Sequence, residues 1–319
     1  MEIDNYILVD MLKKMLTIRY FEEAIFDVYT RGLMPGLAHL YIGQEAIAVG
    51  VCETLEKEDL ITSTHRGHGH LIAKGGNLKK MMAEVMGKET GYCKGKGGSM
   101  HIADPELGII GANGIVAGSI PVATGLGLAS KLKDDGKVIV CFFGEGASNQ
   151  GAFHEGINMA SLWNLPIVYV CENNLYGISV HQSRAQKIKD VAVRAGSYDI
   201  PGEIVDGNDL PAVYHIAKSA IERAKKGGGP FFIECKTYRW GGHHVGDPGT
   251  AYRPKEEVSL WKDRCPIKRF KESLRKEKVI SEPQIKYLEE RIKKDIEEAI
   301  SFAKESPYPL PEEALEDVL

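Results

Sequence analysis

Residues 138–179 read VIVCFFGEGASNQGAFHEGINMASLWNLPIVYVCENNLYGIS, and their pattern decides the fold. Val138 to Phe143 is a short apolar run rich in β-branched and aromatic residues, as in a strand covered on both faces. Ala147 to Leu162 carries Phe153, Ile157, Ala160 and Ser161 near helical spacing, and Pro166 closes the connection. Pro166 to Cys171 is a second apolar strand. Strand, helix and strand make a βαβ unit, so the strands run parallel and their carboxyl ends lie on one side. Open α/β sheets bind their ligands outside those ends. The expectation is an α/β protein with a mostly parallel sheet and helices on both faces.

Each strand of this unit ends in a polar turn. Gly144-Glu145-Gly146 follows the first and Asn173-Asn174 the second, which brings a carboxylate and an amide oxygen to neighbouring strand ends. Mg²⁺ takes about six hard oxygens, usually one or two protein carboxylates with phosphate oxygens making up the rest. Gly144 and Gly146 let backbone approach a phosphate, and the helix that follows, from Ala147, aims its first amides at the same anion. A solvated Glu in an ordinary strand–helix turn is the plainer reading of Gly-Glu-Gly alone. The pairing of two oxygen donors at successive strand ends favours the cation and its diphosphate.

The rest of the chain is organised around this unit. Leu8, Met11, Leu12, Met15 and Ile18 mark an amphipathic helix running toward Tyr29. Helices are expected over Gln44–Leu55, Leu71–Met86, Ile120–Leu132 and Pro211–Lys226, with strands at Asp59–Ser63 and Pro230–Cys235. Gly87 to Gly118 is a glycine-rich, histidine-bearing passage too long for a plain connector, and Gly241 to Arg253 is a second such loop. In the Ile120–Leu132 helix, Ala123, Gly127 and Ser130 put small residues on one face, for close packing inside the domain or against a partner chain. From about residue 256 the chain reads as a helical extension of the domain formed by 1–255. Ser281 and Gln284 form a capping box ahead of Ile285, Leu288, Ile292, Ile296 and Ile300.

Composition narrows the function classes. The chain has 319 residues, 43% hydrophobic and 26% charged, with a net charge of −4; nothing in this balance suits nucleic acid. No apolar run approaches the length of a membrane span, and the amino terminus is acidic and amphipathic rather than a targeting sequence. Six cysteines without a Cys-x-x-Cys pair suit a reducing, cytoplasmic setting. A nucleotide-binding enzyme is disfavoured: no G-x-G-x-x-G opens a helix, and GKGGSM lacks the spacing of a phosphate loop. His65, His68 and His70 could suggest a metal cluster, but His-Arg-Gly-His-Gly-His lacks the spacing of zinc motifs.

Several segments carry a family resemblance. GEGASNQG followed by ENN resembles the thiamine-diphosphate motif, in which Gly-Asp-Gly precedes Asn-Asn. HLYIGQEAIAVG (39–50), THRGHGH (64–70), GKGGSMH (95–101), GANGIVAG (111–118) and YRWGGHHVGDPG (238–249) resemble the alpha subunit of heteromeric 2-oxo-acid dehydrogenase decarboxylating components. The likeness runs from about residue 15 to 260. ITSTHRGHGHLIAKGG and GGSMHIAD are most similar to acetoin dehydrogenase, then pyruvate dehydrogenase, with the branched-chain enzyme more distant.

The resemblance implies thiamine diphosphate and Mg²⁺ as cofactors. It makes Glu145, Asn174 and the backbone carbonyl of Tyr176 the metal ligands. It places Arg66, His65, Gly114, Val116, Gly144, Gly146, Ala147 and His243 around the cofactor, and His243 with His39 near the reacting groups. It implies cleavage of a small-molecule substrate and transfer of a two-carbon unit to the lipoyl domain of an acyltransferase. A separate beta subunit then supplies the glutamate that activates the cofactor, so the chain is inactive alone and works in an assembly of two alpha and two beta chains. A non-catalytic interaction subunit is the competing expectation, and retention of Glu145, Asn174, Arg66 and His243 argues against it. Two departures stand out: Glu145 where the family has Asp, and His65 where the pyruvate-specific relatives have Tyr.

Overall fold

A computed structural model describes residues 3–316. The chain opens with a 26-residue helix, α1 (Asn5–Thr30), and α2 (Glu45–Cys52) follows. Strand β1 (Leu60–Thr62) leads to α3 (His68–Ala73) and α4 (Leu78–Val85), and the glycine-rich passage beyond holds β2 (Ile109–Gly111). Helix α5 (Ser119–Lys133) precedes the central unit of β3 (Ile139–Gly144), α6 (Gly151–Leu162) and β4 (Ile167–Asn173). A small hairpin, β5 (Tyr176–Gly177) with β6 (Val180–His181), and the single turn α7 (Gln182–Ala185) come next. Strand β7 (Gly202–Asp206), α8 (Leu210–Lys225) and β8 (Phe231–Lys236) complete the sheet, and α9 (Lys255–Asp263), α10 (Pro266–Lys276) and α11 (Glu282–Glu305) form the tail.

The six-stranded sheet is wholly parallel, in the order β2-β1-β3-β4-β8-β7. Why continuous apolar runs form its centre is visible in the two cores. Val140, Phe142, Val168, Val170, Phe231 and Ile233 point to the face covered by α1, α2 and α8. Ile139, Cys141, Phe143, Tyr169, Cys171 and Phe232 point to the opposite face, under α5 and α6. With both faces buried, the usual alternation of apolar and polar residues disappears from the sequence.

Strand β1 is hydrogen-bonded to β2 on one side and to β3 on the other. Chain progression therefore reverses between β1 and β3, and a crevice opens beyond their carboxyl ends. His65 and Arg66 follow β1, Glu145 follows β3, and Asn174 follows β4.

Several details depart from the sequence expectation. The helix expected from Ala147 begins at Gly151, because Glu145–Asn149 winds as a 3-10 turn. Leu71–Met86 is two helices, broken at Gly75-Gly76, where Gly75 takes a positive φ of 102°. Strands β2 and β7 were not anticipated: β2 is three residues long and β7 is an edge strand with a largely exposed first half. The small face of α5 is used inside the subunit. Ala123 and Ser130 are buried, and a Cβ at Gly127 would fall 2.8 Å from Ile167. The capping box at Ser281 is formed as read, and α11 packs on α1 and α4. Among the described residues no helix is long and apolar enough to cross a membrane.

Candidate functional site

The crevice at the reversal point is a cavity lined by Arg66, His65, Gly144, Glu145, Gly146, Ala147, Asn174, Tyr176, Val116 and His243. Ten of the twelve residues singled out from sequence thus meet in one place. His39 stands behind its wall, edge-on to His65 and to His243 with ring centroids 4.7 Å apart in each case. Gly114 lies between two lining residues, Asn113 and Ile115, where a Cβ would sit 3.4 Å from His101 Nε2.

Glu145 is 3% exposed, and its Oε2 accepts the Asn174 backbone N–H at 3.2 Å. The longer side chain therefore spans the gap between the ends of β3 and β4. Burial pushes its carboxyl above the usual range, and the nearby guanidinium groups of Arg239 and Arg66 only partly oppose this. Asn174 Oδ1 accepts from Tyr176 N at 3.3 Å, while its Nδ2 donates to Gln44 Oε1 at 3.1 Å. The Tyr176 carbonyl accepts from Arg239 Nη1 at 2.9 Å. A metal ion using that carbonyl must share it with the guanidinium or displace it.

Arg66 is buried and does more than wait for an anion. Nη1 donates to Leu40 O and Nη2 to His243 O, both at 2.9 Å, so it ties together the segments that carry His39 and His243. Those segments are also paired by Trp240 N to Ile42 O and Val245 N to Ala38 O. Burial, then repulsion from Arg239, lowers the Arg66 guanidinium to about 9. Burial and then Arg66 bring His39 and His243 down to about 3, and burial and Arg66 bring His65 to about 2. All three imidazoles are neutral near pH 7.

The cavity fits a polyanion with a hard cation. Two buried guanidinium groups, those of Arg66 and Arg239, line it. Neither Gly144 nor Gly146 adopts a left-handed backbone, and Cβ atoms there would meet nothing nearer than 4.0 Å and 3.6 Å respectively. The fold does not demand glycine at either place; the missing side chains leave room for a ligand. Gln44 Nε2 and Arg239 Nε are buried without a partner, two donors at the cavity wall that a phosphate oxygen would satisfy. Glu145, Asn174 Oδ1 and the Tyr176 carbonyl supply oxygen donors of the kind Mg²⁺ takes.

Sequence reading missed Gln44, Glu172 and Arg239. Glu172 lines the cavity, accepts from the Tyr41 hydroxyl and lies 3.1 Å from His70 Nε2. The Glu of the ENN run was visible in sequence, but only the placement of α3 beneath β4 shows what it touches. His68 and His70 turn inward, His68 to Glu22 and Ser99, His70 to Ser63 and Glu172, so they form no metal cluster with His65. GKGGSM makes no phosphate loop either: the amides of Cys93, Gly95, Gly97 and Gly98 all donate to the Glu84 carboxylate at 2.8–2.9 Å.

A doubly covered parallel sheet with a buried cationic and carboxylate cavity at its reversal point defines a cofactor-binding α/β enzyme component. The chain belongs to the dehydrogenase E1 component family, whose model matches residues 13–312, a family that depends on thiamine diphosphate. It is 51% identical over 308 residues to the alpha subunit of acetoin:2,6-dichlorophenolindophenol oxidoreductase of Bacillus subtilis, covering 97% of this chain and 92% of that one. The corresponding subunit of Cupriavidus necator is 42% identical, with 99% and 95% covered. The pyruvate dehydrogenase E1 component subunit alpha of Porphyra purpurea is 40% identical, with 95% and 90% covered.

Proposed function

We propose that this chain is the alpha subunit of a dehydrogenase that cleaves acetoin and delivers the two-carbon unit to a lipoyl group. The single observation behind the chemistry is the cavity that gathers Arg66, Glu145, Asn174 and His243 around two glycines the fold does not require. The acetoin preference rests on the greater identity to the acetoin-acting subunits than to the pyruvate-acting one. A pyruvate or branched 2-oxo-acid substrate is the second reading, carried by the latter likeness.

In this reading Glu145, Asn174 and the Tyr176 carbonyl hold Mg²⁺, and Arg66, His65 and His243 face the diphosphate, with Val116, Gly114 and Ala147 beside the cofactor. Thiamine diphosphate, when bound, supplies the electron sink for breaking a bond beside a carbonyl. The residues of this chain bind and orient. Arg66, pinned to two loop carbonyls, presents its remaining donors without further ordering. His243 and His39, neutral before binding, can take up a proton when negative charge arrives, since an adjacent anion favours the imidazolium. Arg239, which donates to the Tyr176 carbonyl, would share that oxygen with the ion or give it up.

The carboxylate that activates the cofactor comes from a beta subunit in an assembly of two alpha and two beta chains, and the chain alone is inactive. Six free cysteines, five of them buried, accord with a cytoplasmic setting. The test is reconstitution with a beta subunit, comparing acetoin, pyruvate and branched 2-oxo acids. Acetoin is expected to give the highest kcat/KM. A preference for pyruvate moves the assignment to the second reading, and turnover by the isolated chain overturns the need for a partner.

A further inference from the structure

A second cavity, of about 370 Å³, shares no lining residue with the first. Three segments meet there. Asn149 ends the 3-10 turn that opens with Glu145, Gln186 and Lys187 follow α7, and Arg194 and Ser197 belong to a 3-10 stretch, Val191–Tyr198. The lining holds two cations, Lys187 and Arg194, and no carboxylate.

Arg194 is only partly satisfied by its neighbours. Nη2 donates to Asn149 Oδ1 at 2.8 Å and to Gln186 Oε1 at 3.1 Å, and Nη1 lies 3.5 Å from His154 Nε2. None of these partners is a carboxylate, and among the described residues Arg194 enters no ion pair. Its Nε is buried without a hydrogen-bond partner, and so is Nε2 of Gln186. The direction of that amide is fixed. Gln186 Oε1 accepts from Arg194 and, at 3.3 Å, from Ser148 Oγ, and a flip would turn its N–H groups on the guanidinium. Two buried donors left unpaired call for an acceptor, and a guanidinium without a counter-ion selects an anionic one.

We propose that Arg194, Gln186 and Lys187 form a binding site for a phosphate group, separate from the cavity at Glu145. Charge and donor number favour phosphate over carboxylate. A carboxylate brings two oxygens and a single charge. A phosphate monoester brings three acceptor oxygens and close to two charges near pH 7, as many acceptors as there are donor groups in Arg194 Nε, Gln186 Nε2 and the Lys187 ammonium. Asn149 stands two residues ahead of α6, so the positive end of that helix adds to the same field. Ile188 and Val193 supply an apolar wall, with room for a small organic group beyond the phosphate. Ser148 Oγ also donates to Glu145 O at 2.7 Å, so the site backs onto the turn that carries Glu145 without drawing on any group the first cavity uses. It stands whichever cofactor that cavity takes.

The test is calorimetric titration of the full chain with inorganic phosphate, glycerol 1-phosphate and acetate, repeated on Arg194→Gln, Lys187→Gln and Arg66→Gln. Phosphate can also enter the first cavity, and Arg66→Gln separates the two. One phosphate-binding event is expected to survive Arg66→Gln, to weaken roughly tenfold or more in Arg194→Gln and to weaken measurably in Lys187→Gln. Acetate should bind more weakly than either phosphate. Tighter binding of the ester makes the occupant an organic phosphate, tighter binding of the free ion makes it inorganic phosphate, and both support the site. Thermal midpoints without ligand separate a lost site from a lost fold. If Arg194→Gln does not fold, Lys187→Gln, at an exposed side chain, carries the test. Phosphate binding that disappears in Arg66→Gln and is untouched in Arg194→Gln and Lys187→Gln belongs to the first cavity and overturns the site. Absence of phosphate binding, or acetate binding as tight as phosphate, overturns it too.

Discussion

Gly146→Ala puts the reading of the cavity at risk with two opposite readouts. Gly146 has no positive φ, and a Cβ there comes no nearer than 3.6 Å to any other heavy atom, the Cα of Gly177. Alanine is therefore tolerated by the fold, and the smaller conformational freedom of its unfolded chain adds about 0.4–1 kcal/mol to stability. The same methyl intrudes on the space a diphosphate would fill. Overpacking of one methyl costs about 1–3 kcal/mol, which weakens cofactor binding roughly 5- to 150-fold. The assay is thermal denaturation with and without thiamine diphosphate and Mg²⁺. At a ligand concentration 100 times Kd, the native chain gains about 2.7 kcal/mol, or roughly 5 °C for a chain this size. A tenfold weaker variant gains about 1.4 kcal/mol at the same concentration, halving the shift. The unliganded variant should melt at or slightly above the native midpoint. A full ligand-induced shift refutes the steric argument. A lowered midpoint without ligand shows instead that the fold required glycine.

Further predictions follow from other contacts. Glu145→Ala should abolish the Mg²⁺-dependence of cofactor affinity measured by calorimetry; an unchanged Mg²⁺ effect removes Glu145 from the metal. The metal-free, unliganded chain should lose stability as pH falls below about 6.5, the usual His value. His39 stays neutral in the fold until about pH 3, so below 6.5 only the unfolded state takes up its proton. His39 alone then contributes a loss of about 1–2 kcal/mol between pH 7 and 5. Urea midpoints should fall less steeply for His39→Gln, and parallel slopes would contradict this. Glu84→Ala leaves four backbone donors of the 93–98 loop without their acceptor. A loss of about 3 kcal/mol or more and rapid amide exchange over that loop are expected, and protection unchanged from the native chain would argue against this anchoring role.

Much of the site was legible because strand ends can be read locally. Apolar runs stop where the backbone leaves the sheet, so Gly144-Glu145-Gly146 and Asn173-Asn174 announced themselves, as did Arg66 after β1. The edge strand β7 and the three-residue β2 escaped because neither has an apolar run of its own; each is defined by a neighbour's hydrogen bonds. The break of α3 from α4 hinges on one glycine with positive φ, a choice that a helical periodicity spread over both segments conceals.

The chain's own pattern of residues determined the βαβ unit, the parallel sheet and the oxygen donors at its rim, since these follow from local periodicity and turn chemistry. It also fixed the family through segments scattered over most of its length. Tertiary structure alone decided which polar groups meet. Three amides of GKGGSM, those of Gly95, Gly97 and Gly98, go to Glu84, His68 and His70 turn into the core, and Arg239 caps the carbonyl of Tyr176. His39, His65 and His243 come together from positions up to 204 residues apart. Hydrogen bonds act over about 3 Å, and only the packed chain sets distances on that scale.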